Sequence, residues 1–424
     1  MAAPVDVSVV TSGHDVADAR LHREVAALLA VGLDVEVLGL GDAADGPPGA
    51  SVTTWDRPGG LARVHLAGRM AARARGRVVM TLDPDSALAA NAAVLASGRV
   101  LVVDVHEDFA KLLSDRPWAG SYGGLAGYGA RRLVSAFTQV ARRAALTVVA
   151  DDHVPPLRAR HRLVLPNEPV AEMLPGPSEP DERPRALYVG DLRATRGLFA
   201  MIEAVRLAPD WALDLVGPVA PADADRLAEV LAAPGPDGAA PLGERVRLLG
   251  RLPPTQAWEY ARGAWCGFLL LSDTPAFREA MPSKLGEYLA CGLPVVTTDL
   301  PRPAQVVTDS GAGAVVPAGA AARSGASAGS AASTPDAVVG AAAAHVLRGW
   351  ADDRAALAVV RDAARRAGAP GDAAASPYRA FAAAVAELAH ENVHGERGEG
   401  DEDDGPAAPN DEQHADGTSE GSTT

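Results

Sequence analysis

Two carboxylates, a lysine and a helix start share the nine residues Glu279-Ala-Met-Pro-Ser-Lys-Leu-Gly-Glu287. The short apolar run Phe268–Leu271 before them reads as a buried strand. Pro282-Ser283 then reads as a helix entry, with Ser283 able to cap free backbone N–H groups. The pattern predicts a helix from about Lys284 to Cys291, stopped at Gly292, with Pro294 barring continuation and a strand over Val295–Thr298. At the start of that helix, free amides at Lys284 and Leu285 and the positive end of the dipole favour a phosphate. Lys284 adds a full charge. Glu287, one turn further in, is placed to accept two hydrogen bonds from a vicinal diol such as a ribose. A base, a ribose and a diphosphate are what this arrangement could hold together.

The spacing of Glu279 and Glu287, followed by Gly292-Leu-Pro-Val-Val, resembles the donor-binding motif of retaining glycosyltransferases of family 4. That resemblance implies an α/β architecture of the GT-B type, two Rossmann-like doubly wound domains facing a central cleft. It also implies roles for particular residues. Glu279 is similar to the family's sugar contact, and Asp104-Val-His106-Glu-Asp108 resembles a subgroup motif whose histidine approaches the transferred sugar. In Gly190-Asp-Leu-Arg193-Ala-Thr-Arg196-Gly197, Arg196 matches a family diphosphate contact. Asp191 stands where the family has an arginine, for which Arg193 is the candidate substitute. Gly250-Arg-Leu252-Pro resembles the turn whose backbone reads the base. Asp15 to Glu24 resembles a further subgroup stretch, which puts the loop Thr11-Ser12-Gly13-His14-Asp15 at the cleft and makes Gly13 a donor-side candidate. Leu82 replaces a histidine often found before the acid equivalent to Asp83.

The rest of the chain must position these groups. At 424 residues it is too long for one ordinary domain, and 48% hydrophobic residues suffice for two cores. Strands are expected at Val5–Val10, Val35–Leu40, Val78–Thr81, Val100–Val105 and Leu146–Val149, with helices between them, including Arg20–Val31 closed by Gly32. This predicts a first, acceptor-side domain over 1–168. A proline-rich linker follows over 169–185, then a nucleotide-sugar-binding domain over 186–370 opened by the strand Ala186–Val189. The resemblance implies that 371–390 returns to the first domain as a helix. Ala318–Ser333, rich in Gly, Ala and Ser, reads as a surface loop.

The net charge of −15 is unevenly placed: residues 391–424 hold eleven acids and one arginine, which leaves only −5 for the remainder. Their composition predicts a disordered acidic tail. A basic stripe with interleaved aromatics, the mark of a nucleic-acid binder, is missing. The first loop lacks Gly-x-Gly-x-x-Gly, which disfavours a dinucleotide enzyme. Cys266 and Cys291 fall in predicted buried elements and read as core residues. With no signal-peptide pattern at the N-terminus and no long apolar run, the expected location is cytoplasmic.

The reading that follows is a glycosyltransferase moving a sugar from a nucleotide-diphosphate sugar to an acceptor hydroxyl with retention. The resemblance implies a glycan or glycolipid acceptor, with peripheral membrane contact suiting the latter. No cofactor or metal is assigned: Asp83-Pro-Asp85 and Asp223-Ala-Asp225 spell Asp-x-Asp, but neither lies in the donor motif. Two alternatives stand beside it. A nucleotide-sugar epimerase of the same fold would need its own acid and base and no acceptor. A non-catalytic scaffold would bind nucleotide sugar without turnover.

Overall fold

The computed structural model describes residues 5–59, 62–114, 125–233, 241–319, 334–371 and 376–390; most of the loop expected at 318–333 and the acidic tail lie outside them. Its frame is two parallel sheets. The first contains β1 (Val7–Asp15), β2 (Val35–Leu40), β3 (Ser51–Trp55), β4 (Val78–Thr81), β5 (Val100–Val105), β6 (Leu146–Val149) and β7 (Arg162–Val164), ordered β3-β2-β1-β4-β5-β6-β7. The second contains β8 (Arg185–Val189), β9 (Ala212–Val216), β10 (Val246–Gly250), β11 (Cys266–Leu269), β12 (Val295–Thr298) and β13 (Gly313–Val316), ordered β10-β9-β8-β11-β12-β13.

Valine and leucine fill the central strands because helices cover both sheet faces. Val7, Val9, Val78, Val102 and Val148 are all fully buried. Each sheet reverses its winding once, between β1 and β4 and between β8 and β11. Ligands of open α/β sheets bind beyond the carboxyl ends of the strands at such a reversal. The fold is α/β, with two Rossmann-like doubly wound halves.

Helix Ala19–Ala30 packs Leu21, Val25 and Leu28 into the core of the first sheet. Asp18 caps it, its carboxylate accepting from the amides of Arg20 and Leu21. The last helix, Pro377–His390, buries Tyr378, Phe381 and Val385 in that same core, so the end of the described chain belongs to the first lobe. In the second lobe, helices Leu198–Leu207 and Pro335–Asp352 pack together, and Trp211 and Trp265 meet edge to face at 5.4 Å. Cys266 and Cys291 are buried and free; burial pushes the Cys291 thiol up to about 12, which suits core packing rather than reactivity.

Candidate active site

The helix leading into β12 runs Ser283–Ala290, and its N-cap is Pro282, not Ser283. Pro282 has the extended conformation of a cap (φ −67°, ψ 130°), which its ring favours, so Ser283 becomes the first helical residue and its hydroxyl makes no capping bond. The Leu285 amide is also not free, because it donates to Pro282 O at 3.1 Å. The amides that this first turn leaves without a helical partner are those of Ser283 and Lys284.

Two elements bring cations to that point. Lys284 lies with its ammonium 5.4 Å from the centre of the Tyr188 ring. Burial, followed by repulsion from Arg196, pulls its pKa down to about 8. Arg196 sits in the turn after β8, where Gly197 (φ 83°) allows a backbone course that any Cβ would drive into the Leu270 carbonyl. Burial alone would lower the Arg196 guanidinium, but Tyr188 and Asp191 hold it above its ordinary value. Arg193 is otherwise engaged, donating to Asp191 at 2.8 Å. Gly190, with φ 136°, closes β8 directly beneath Lys284. Leu252 follows β10 and packs on the core of the second lobe, while the neighbouring Arg251 approaches Asp15 of the first lobe at 3.8 Å.

Across from these groups, His106 follows β5. Its Nδ1 lies 3.2 Å from Asp104 Oδ2, so the carboxylate fixes the proton on Nδ1 and leaves Nε2 as the other polar end. Asp104 is fully buried and gripped by Arg20 through Nε and Nη2, both at 2.7 Å. Burial opposes its charge, but Arg20 and His106 hold the carboxyl well below its usual range. His14 meets His106 edge to face at 4.9 Å. Burial disfavours its charge, yet Asp83 and Asp18 outweigh that and raise it to about 9. Gly13 is tied down, its amide donating to Asp83 at 3.2 Å and its carbonyl accepting from Arg57 at 2.9 Å. Asp83 and Asp85 are committed to Thr11, Ser12 and Arg63. Among the described residues no group of three or more His, Cys, Asp or Glu is placed to hold a metal ion.

The two lobes enclose a cleft of about 830 Å³. His106, Arg196, Glu279, Ser283, Lys284 and Leu285 all line it. Gly13, Gly190, Arg193, Leu252 and Glu287 do not. Glu279 stands at the mouth, paired with Lys111 of the first lobe, and its carbonyl accepts from Arg302 at 2.8 Å. Arg302 in turn reaches Asp151 of the first lobe at 2.5 Å. Glu287 is buried and paired with Arg23 at 2.7 Å. The sequence reading missed Lys111, Arg302, Arg23, His14 and Asn167. Only Arg23 carried a local signal: it shares one turn of a largely buried helix with Arg20 and Glu24, and buried charges need partners.

Two doubly wound sheets facing one such cleft are the architecture of the GT-B fold. Residues 171–328, most of the second lobe, match the family model described as glycosyl transferases group 1. No curated protein sequence matches the chain. Solved structures of similar fold include sucrose-phosphate synthase from Thermosynechococcus elongatus, at a TM-score of 0.61 and 14% identity over 92% of this chain and 100% of that one. Another is Anabaena HepE in complex with UDP-glucose, at 0.56 and 14% over 91% and 97%. A third is WaaG, a glycosyltransferase involved in lipopolysaccharide biosynthesis, at 0.55 and 17% over 88% and 98%. At these identities the likeness establishes the fold.

Proposed function

We propose that the protein transfers a sugar from a nucleotide-diphosphate sugar to an acceptor hydroxyl with retention of anomeric configuration. One observation carries this reading: Arg196, Lys284 and the first amides of helix Ser283–Ala290 meet in a cleft whose opposite wall presents His106. Two cations and a helix start suit a diphosphate. The match of residues 171–328 to glycosyl transferases group 1 supports it, as does the UDP-glucose bound by HepE.

In this scheme the second domain (186–370) binds the donor and the first (1–168) receives the acceptor. Glu279 and His106, which line the cleft, contact the sugar; for the base and the ribose diol the family resemblance points to backbone around Leu252 and to Glu287, both outside the cleft lining in this structure. The bond from the anomeric carbon to the diphosphate oxygen breaks as the acceptor oxygen bonds to that carbon on the same face, and the acceptor proton passes to the leaving phosphate. No carboxylate serves as a nucleophile. The protein positions both partners and stabilises charge growing on the diphosphate. Arg196, Lys284 and the helix start supply that stabilisation, so the scheme asks for no obligatory metal or cofactor. A surface glycan or a glycolipid met at the cytoplasmic side of a membrane is the acceptor class we favour.

The test begins with a panel of nucleotide sugars scored by thermal stabilisation, since a ligand of the folded state raises the melting temperature. The stabilising donor is then incubated with glycan and glycolipid acceptors, and the product's anomeric configuration is read by NMR. Nucleotide release that requires acceptor, with a retained product, is expected. Binding without turnover on every acceptor, or an inverted product, would sink the proposal.

A further inference from the structure

Arg20 and Arg23 lie three residues apart on helix Ala19–Ala30, and each guanidinium grips one acid of the site. Arg20 holds Asp104, the carboxylate behind His106. Arg23 holds Glu287 of the second lobe, Nη1 donating to Oε1 at 2.7 Å. Both also donate to Asn167 Oδ1, at 2.9 and 3.2 Å, where the chain passes between the lobes. The remaining donor nitrogen of Arg23, Nε, is spent on the Tyr378 hydroxyl at 2.9 Å, on the helix that rejoins the first lobe. All three nitrogens of Arg23 are therefore committed, and its side chain is only 3% exposed. Among the described residues, the other oxygen of Glu287 takes no hydrogen bond.

We infer that Arg23 is a positioning residue for the donor nucleotide: from the first lobe it fixes the Glu287 carboxylate in one orientation, with Oε2 left for the ribose diol. The inference rests on the ribose role of Glu287 proposed above and adds to it a residue that itself lines the cleft and acts through the Glu287 carboxylate. The physical reason is burial. A carboxylate that loses its cation in a buried place either turns away or takes up a proton, and both spoil it as an acceptor for two hydroxyls. Asn167 and Tyr378 keep the guanidinium still, so the grip on ribose depends on the junction between the lobes.

The experiment uses the full chain and calorimetry with UDP, GDP and ADP. The tightest of the three is then compared with its 2′-deoxy counterpart. For wild type, the ribonucleotide should bind better than the deoxy form. Arg23→Ala should weaken ribonucleotide binding by about tenfold, as expected for loss of a charge-assisted hydrogen bond to the ribose. It should weaken deoxynucleotide binding less, so that the preference between them shrinks. In a Glu287→Ala background, Arg23→Ala should have little further effect. A merely structural role for Arg23 would lower both affinities equally, leave the preference intact and overturn the inference. Arg23→Met removes the charge and the fork at similar volume, so it tests the same point should the alanine variant not fold; an unchanged preference there also overturns it. Wild-type affinity in Glu287→Ala, or no binding of any of the three nucleotides, would overturn the ribose assignment itself. Loss in Glu287→Ala with wild-type behaviour in Arg23→Ala would overturn only the role of Arg23.

Discussion

The Lys284 ammonium lies against the bare backbone of Gly190: a Cβ built on Gly190 would stand 3.1 Å from Nζ. The φ of 136° at this glycine is itself one that residues with side chains rarely adopt. Gly190→Ala should therefore do two things. It should cost about 1–3 kcal/mol of stability through backbone strain, measured by denaturant unfolding. It should also shift the ammonium by a few tenths of an ångström and weaken nucleoside diphosphate binding modestly. A folded Gly190→Ala protein with wild-type nucleotide affinity would mean that nucleotide binding does not depend on the position Gly190 gives the ammonium.

The lowered pKa of Lys284, about 8 from burial and Arg196, should make the proposed diphosphate binding pH-dependent. An anion placed beside the ammonium favours its charged form, so the pKa rises on binding. Around pH 8 to 9 part of the free protein lacks this proton while the complex holds it, and binding takes up a proton. Affinity should be flat well below pH 8 and fall as pH rises through 8. Calorimetry at pH 8.5 in two buffers of different ionisation heat gives the proton uptake directly. Lys284→Met should abolish it; uptake that survives in that variant would assign the titration to another group.

Arg196 and Arg193 share a turn but not a task. Arg196 lines the cleft, whereas Arg193 is held by Asp191 at 2.8 Å. Charge accumulates on the leaving diphosphate as the sugar bond breaks, so a donor aimed there contributes most in the transition state. Arg196→Ala should lower kcat by roughly 100-fold, more than it raises the donor KM. Arg193→Ala should change both by less than about threefold, as for other exposed ion pairs. The reverse pattern would show that Arg193 supplies the phosphate contact.

Much of the frame was legible because the buried strands are valine-rich runs bounded by turns. Val78–Thr81, Val100–Val105 and Leu146–Val149 fall as read, and the helix expected from Lys284 to Cys291 runs Ser283–Ala290. The edge strands escaped notice for the converse reason. Ser51–Trp55 and Arg162–Val164 are short and partly exposed, so no apolar run marks them. Val7–Asp15 runs past the expected end at Val10, because Asp15 regains register with Leu40 after an irregularity. At the site, Arg196 and Lys284 could be foreseen together, since each belongs to a local turn or helix start. The partners of Glu279 and Glu287 could not. Lys111 lies 168 residues from Glu279 and Arg23 lies 264 from Glu287, and such pairs follow from how the lobes pack rather than from any local pattern.

Glu279 offers the sharpest separation of roles. It stands at the cleft mouth with its side chain more than half exposed, held by Lys111 from the opposite lobe, while Arg196 and Lys284 are far more buried. In the proposed function this carboxylate meets the sugar, and the nucleotide is held by other groups. Glu279→Ala should therefore leave nucleoside diphosphate affinity within about twofold of wild type. Binding of the intact nucleotide sugar should fall by about tenfold, the expected loss for one charge-assisted hydrogen bond. Lys111→Ala separates the carboxylate's own contact from the ion pair that holds it: if the pair only orients Glu279, the loss should be smaller and again confined to the sugar-bearing ligand. Calorimetric titration of both ligands into each variant, after checking that each melts like wild type, gives the comparison. Equal losses for nucleotide and nucleotide sugar in Glu279→Ala would mean that this residue supports the cleft as a whole, and the sugar contact would have to be sought elsewhere on its rim.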